Sequence, residues 1–322
     1  MKEENNGIET LDFYVKKALS FLKEQKDKLE LPESRHTLVV GSQTGLLTGR
    51  IIYSCAGRSF SHAKEVLAQC EIDTKKDILE DGGDVTIVSA TGSRQVVDIA
   101  KYAALEKGLR VNAILCKNGS KLETEKDLIG KIHFIRIEQP PPEEDEPPTV
   151  NTVTYGAMIQ ALTDEQVTDV LVDKVKSLEE LEGGYGKFKA FTVILTDRMP
   201  EVAEMVDWKL RGEKIGRCIG TMATHLTNFM HGAAVTDADK ELYIALGLTK
   251  EEKKVFKQVL KPVSKERKHY IDVPDEIGPL GFMMLGYSVV GQIQKNYPGF
   301  QENIRNYKKR SDDWEWLSPI KP

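Results

Sequence analysis

The chain has 322 residues, 40% of them hydrophobic and 30% charged, with a formal net charge of −5 and a mean hydropathy of −0.37. That length suits one large or two ordinary domains of a globular protein. The acidic balance gives no reason to expect a nucleic-acid partner, and no apolar run reaches the length of a membrane span. The basic run from Lys261 to Lys268 is short, is interrupted by Glu266, and reads as a solvated face. The four cysteines, Cys55, Cys70, Cys116 and Cys218, form no Cys-x-x-Cys pair, so neither a metal site nor a disulfide framework is expected. Met1 to Thr10 is polar, without the apolar core of a signal peptide, and the expected location is the cytoplasm.

Leu11, Tyr14, Val15, Ala18, Leu19 and Leu22 recur at helical spacing, which predicts an amphipathic helix from Asp12 to Lys28. Leu31-Pro32-Glu33-Ser34 ends it. The stretch His36 to Gly49 is ambiguous, because Gly41, Gly45 and Gly49 weaken a helical reading. Arg50 to Ser54 reads as a strand running into the turn Cys55-Ala56-Gly57-Arg58-Ser59, with a helix from His62 to Gln69 behind it.

The stretch Gly82 to Gln95 is the most informative. Val85 to Val88 is a β-branched run that reads as a buried strand. It leads into Ser89-Ala90-Thr91-Gly92-Ser93, after which Val96, Val97, Ile99 and Ala100 take up helical spacing. Hydroxyls and a glycine between a strand end and a helix start make an anion site. The first amides of the helix lack internal partners, the helix dipole favours negative charge, and glycine lets the backbone approach a ligand closely. The simpler alternative is that Ser93 only caps the helix. Val111 to Cys116 and Ile132 to Ile137 are further strands, separated by the polar turn Lys117-Asn118-Gly119-Ser120. Strands alternating with helices imply a parallel, doubly wound sheet whose ligands lie beyond the carboxyl ends of the strands. The turns at Gly57, Ser89 and Asn118 are expected on that edge.

Glu138 to Pro148 is an acidic, proline-rich loop, and Ala157 to Leu181 reads as one or two helices. Gly183-Gly184-Tyr185-Gly186 is the expected linker between two domains, 1–182 and 187–322. The second half echoes the first at an offset of roughly 140 residues, which suggests an internal duplication. Arg58 then pairs with Arg198, and His133 to Ile137 with His269 to Val273. The Ser89 loop falls on Phe229-Met230-His231-Gly232-Ala233, and a helix on Asp239 to Leu246. Leu280 to Val290 reads as a buried helix.

The first half, from Asp12 to Lys176, resembles the sugar isomerase (SIS) domain family. Ala56-Gly57-Arg58-Ser59 looks like the turn of the phosphohexuloisomerases, and Ser89-Ala90-Thr91-Gly92-Ser93 is similar to the Ser-x-Ser/Thr-Gly-x-Thr phosphate loop. In strict register the last hydroxyl of that pattern falls on Arg94. The two-copy layout resembles the phosphoglucose/phosphomannose isomerases and the sugar-phosphate deaminases and deglycases. The resemblance implies an α/β protein, a three-layer αβα sandwich with parallel sheets, built from two SIS-like copies of which the second is degenerate. It implies a homodimer binding a small sugar phosphate, without cofactor or metal. Gly57, Arg58, Ser59, Ser89, Thr91, Gly92 and Ser93 are the expected substrate-binding residues, and the expected activity is aldose–ketose isomerisation by proton transfer through an enediol. The family's catalytic carboxylate matches Gly156, so His231 and Glu276 are the candidates for moving protons. His225 is a further candidate. The alternatives are amine removal from an amino-sugar phosphate, cleavage of a glycated amine, or a non-catalytic phosphosugar sensor that regulates a partner.

Overall fold

The computed structural model describes residues 10–90, 92, 94–116, 120–138, 152–178, 185–212, 221–232 and 240–296. In the first half the order is α1 (Leu11–Glu24), β1 (Thr37–Gly41), α2 (Gln43–Cys55), β2 (Phe60–Lys64), α3 (Ala68–Thr74), α4 (Lys76–Glu80), β3 (Asp84–Val88), α5 (Arg94–Lys101), β4 (Val111–Leu115), α6 (Lys121–Thr124), β5 (Ile132–Arg136), α7 (Thr152–Leu162) and α8 (Asp169–Ser177). There follow β6 (Ala190–Leu195), α9 (Pro200–Gly212), β7 (Met222–His225), α10 (Leu226–Gly232), β8 (Glu241–Leu246), α11 (Lys250–Val259), β9 (Lys268–Ile271) and α12 (Pro279–Lys295).

These strands make two parallel sheets, ordered β2-β1-β3-β4-β5 and β7-β6-β8-β9. Every residue of β1, β3, β4, β6 and β8 is buried. That is the signature of parallel strands covered by helices on both faces. A shared layer of α1, α2, α7, α9 and α12 lies between the sheets, and its apolar side chains join Val39 and Val88 of one sheet to Val193 and Leu195 of the other in one hydrophobic cluster. α12 is buried from Leu280 to Gln294. Its polar side chains are used at the contact with α1, where Gln294 Oε1 accepts the Leu11 N–H at 2.7 Å and Lys295 Nζ lies 2.7 Å from Asp12. The α/β class with two parallel sheets is thus the one read from the sequence.

Several local expectations are corrected. Arg50 to Ser54 is not a strand but part of the second half of α2, where Ile51, Ile52 and Tyr53 are buried; of the ambiguous glycines, Gly45 and Gly49 belong to the same helix and Gly41 ends β1. A Cβ at Gly45 would collide with the Val88 carbonyl, and one at Gly49 would lie 2.5 Å from Val39 Cγ1. Glycine lowers the intrinsic helix propensity, but here it lets α2 sit directly on β1 and β3. The segment from His62 onward continues β2 and then a single 3₁₀ turn before α3, rather than a helix from His62 to Gln69. Asp239 to Leu246, expected as a helix, contains the fully buried strand β8.

The proposed register of the second half is also one strand out. By position in the sheet, β9 matches β4 rather than β5, and the turn following the third strand is Gly247-Leu248-Thr249. Phe229 to His231 instead lie inside α10. The linker expected at 183–186 falls partly outside the described residues.

Candidate functional site

In the first sheet the chain leaves β1 toward β2 and leaves β3 toward β4, on opposite sides. The carboxyl ends of β1 and β3, paired through Gly41 and Val88, therefore form the switch point where ligands of open parallel sheets bind. Ser42 follows β1 at the start of α2, and Ser89 follows β3. Ser89 is buried; its N–H donates to the Ile114 carbonyl at 3.1 Å, and its Oγ accepts the Gly92 N–H at 3.1 Å. The main chain thus doubles back within three residues of the strand end, and Gly92 takes a left-handed φ of +60°. A Cβ on residue 92 would lie 2.7 Å from Ser120 Oγ. Ser120 is itself fixed, since it and Glu123 cap α6 reciprocally and Arg136 Nε donates to Glu123 at 2.7 Å. Thr91, Ser93 and Asn118 lie outside the described residues.

Three further groups surround this edge. Glu65, one residue beyond β2, accepts a hydrogen bond from the Ser42 backbone. Burial outweighs that bond and pushes its carboxyl above the ordinary range. Tyr155 of α7 is buried, its hydroxyl is bonded to Ser42, and burial pushes its pKa up. Cys116, after β4, is held as a thiol: burial raises its pKa to about 12, and Sγ donates to the Thr154 carbonyl at 3.8 Å. The edge therefore offers hydroxyls and one carboxyl biased toward its protonated form. Such a set can hold an anion and exchange a proton.

Ser42 and Glu65 escaped the sequence reading. The signal was present in Val39-Val40-Gly41-Ser42, a strand followed by a Gly/Ser turn, but the glycines of α2 obscured it.

The other expected residues are scattered. Gly57, at φ +60°, ends α2, and Arg58 and Ser59 precede β2. The Ser59 carbonyl accepts the N–H of Thr37, the first residue of β1, and Ser59 Oγ is 3.0 Å from His36 Nδ1. These residues lie at the amino edge of the sheet, opposite Ser89. They were placed wrongly because α2 was read as a strand. His231 is exposed near the end of α10, and Glu276 is exposed between β9 and α12; among the described residues no hydrogen bond joins either to the Ser89 turn. Arg198 pairs with Asp275 at 3.8 Å. Among the described residues no cluster of three or more potential metal ligands is present.

At the switch point of the second sheet an internal carboxylate stands where an anion would bind. Glu252 Oε1 accepts from Thr196 Oγ1 at 3.0 Å and from the Asp197 N–H at 2.8 Å, while Oε2 accepts the Thr249 N–H at 2.7 Å. Beside it, Asp197 is hydrogen-bonded to His225 and Thr227.

Two parallel sheets about a shared helical layer make the fold, which is that of solved phosphosugar isomerases of the sugar isomerase domain family. Among solved structures, tagatose-6-phosphate ketose/aldose isomerase from Escherichia coli is similar with a TM-score of 0.59 and 14% identity, covering 89% of this chain and 87% of the other. Glucosamine-6-phosphate deaminase from Thermotoga maritima is similar with a TM-score of 0.56 and 14% identity over 92% of each chain. The C-terminal domain of glucosamine-fructose-6-phosphate aminotransferase from Francisella tularensis gives 0.54 and 12%, over 91% of this chain and 94% of the other. At these identities the likeness is one of fold. No family sequence model and no curated protein matches the chain.

Proposed function

We propose that the chain binds a sugar phosphate at the carboxyl edge of the first sheet and isomerises it between aldose and ketose, working as a homodimer. The observation that carries this reading is the Ser89–Gly92 turn at the switch point, where Gly92 leaves no room for a side chain against Ser120. The phosphate sits on the Ser89 turn, with Thr91, Gly92 and Ser93 completing it. Arg58 and Ser59 are not part of this set, since they belong to the opposite edge. The fold shared with a ketose/aldose isomerase and a sugar-phosphate deaminase supports the ligand class. Amine removal on the same scaffold is the neighbouring chemistry.

Isomerisation moves one proton between C1 and C2 through an enediol. Gly156, where the resemblance places the family's carboxylate, supplies none, and the space beside it is taken up by the ends of the Met284 and Leu22 side chains. Glu65 takes the role in this proposal, as the carboxyl at that edge whose burial favours proton exchange. His231 and Glu276 would act only if a second copy of the chain brings them to the site. The vacant role at Gly156 favours a second reading, a non-catalytic phosphosugar sensor on the same turn.

Deuterium uptake from D2O at C2 of hexose 6-phosphates separates the two. Uptake in the parent that falls by about 100-fold or more in Glu65→Gln, with ligand binding kept, supports the isomerase. Binding without uptake in the parent favours the sensor.

A further inference from the structure

We propose that a lysine-rich rim at the amino edge of the second sheet binds the phosphate backbone of a single-stranded nucleic acid. The rim lies on a different sheet from the Ser89 turn, and its role does not depend on the sugar-phosphate reading.

Strand pairing gathers the rim from distant parts of the chain. Lys189 and Lys240 stand just before β6 and β8, and the Lys189 N–H donates to the Lys240 carbonyl at 2.8 Å. Lys268 opens β9. Beside it, Arg267 Nε donates to the Glu241 carbonyl at 3.0 Å and holds this segment against the start of β8. Lys187, two residues before Lys189, is close enough for its charge to act on Glu266. Lys257 Nζ lies 5.8 Å from the centre of the Tyr270 ring, which packs edge-on against Phe256 of α11. The cations therefore continue from the edge of the sheet onto its outer side, away from the shared helical layer.

The net charge of −5 does not reveal this rim, because it counts charges without placing them. Lys187, Lys189, Lys240 and Lys257 are exposed, and among the described residues none of them makes an ion pair, nor does Lys268. By contrast, Lys253, at the other end of β9, is paired with Asp272 at 2.5 Å. An ordinary solvated face mixes the two signs. Here like charges are brought together, and a bound polyanion relieves their repulsion.

The chemistry of the rim selects its occupant. Protein interfaces are depleted in lysine and built around apolar or aromatic anchors. Among the described residues no large exposed hydrophobic side chain belongs to this rim. Nucleic-acid interfaces are polar and strongly positive. Phe188 and Tyr270 lie half-buried beside Lys187 and Lys257, and unpaired bases stack on such rings while lysines hold the phosphates. The lysines also turn a corner of the sheet, which gives a path for a strand rather than a plane for a membrane.

The test is fluorescence anisotropy of a labelled, mixed-sequence single-stranded RNA of about 20 nucleotides, with the full chain. The parent is expected to bind it with an affinity that falls about tenfold or more between about 50 mM and about 200 mM salt. Joint Lys189→Glu, Lys240→Glu and Lys268→Glu substitution is expected to weaken binding by about tenfold or more. Lys26→Glu with Lys131→Glu, at exposed positions of the first half, is expected to leave it within about twofold. The three rim lysines changed to Gln carry the test if the charge reversal fails to fold. No binding by the parent at about 50 mM salt overturns the proposal. So does parent-like binding in the rim variants, or loss of binding in Ser89→Ala, which would place the contact at the other sheet. Tighter binding to a poly-glutamate peptide or to phosphatidylserine vesicles than to the RNA also overturns it.

Discussion

Gly92 lies so close to Ser120 that a Cβ on residue 92 would stand 2.7 Å from the Ser120 hydroxyl. This contact ties Gly92, after β3, to the capped start of α6. Gly92→Ala meets both the clash and a left-handed backbone. The backbone alone costs about 1–2 kcal/mol. The expected result is a lower melting temperature together with loss of sugar-phosphate binding, read from thermal melts with and without fructose 6-phosphate.

The approach of α2 to the sheet gives a second prediction. A side chain at Gly45 would collide with the Val88 carbonyl, which belongs to the last residue before the Ser89 turn. Gly45→Ala is expected to destabilise the fold by about 1–3 kcal/mol, as overpacking does, although alanine is the better helix former. Urea unfolding checks it. A stabilised variant would show that α2 does not pack as described.

Glu65 sets a pH dependence. Burial raises its carboxyl in the folded chain against the opposing Ser42 amide bond, so the folded state holds the proton more tightly than the unfolded state. Glu65 therefore favours the fold at pH below the unfolded carboxyl range, and that contribution is lost as pH rises through the raised folded value. Glu65→Gln cannot ionise. It is expected to gain melting temperature relative to the parent at about pH 8, with the gain closing toward about pH 4. Parallel melts at the two pH values read this directly.

At the second switch point, Glu252 receives hydrogen bonds from Thr196, Asp197 and Thr249. Glu252→Ala removes a carboxylate that satisfies two backbone amides and a hydroxyl. A loss of about 2 kcal/mol is expected from denaturant titration.

How much of this was legible in the sequence depended on which force set each segment. β3, β4 and β5 were read close to their observed bounds, because short β-branched runs between turns leave little choice. The buried helix α12 was read for the same kind of reason: it is apolar on every side. α2 failed because its glycines and its Ile51-Ile52-Tyr53 run both argue locally against helix, while the decisive term is its contact with Val39 and Val88, far away in sequence. That single error moved Gly57, Arg58 and Ser59 to the wrong edge and hid Ser42 and Glu65. In the second half, His269 to Val273 resembles His133 to Ile137 in sequence, yet the position of β9 in its sheet matches β4. Side-chain pattern carries no information on strand order. The pairing of Asp197 with His225 was equally invisible, since it follows from the register of β6 and β7.

The central claim is that the Ser89 turn holds the phosphate of a sugar phosphate. Its most direct test is calorimetric titration of the parent and Ser89→Ala with fructose 6-phosphate and with free fructose. The predicted result is binding that requires the phosphate in the parent and weakens about tenfold or more in Ser89→Ala, the loss of one hydrogen bond to a charged group. Equal affinity for fructose and fructose 6-phosphate, or unchanged phosphate binding in Ser89→Ala, would contradict it.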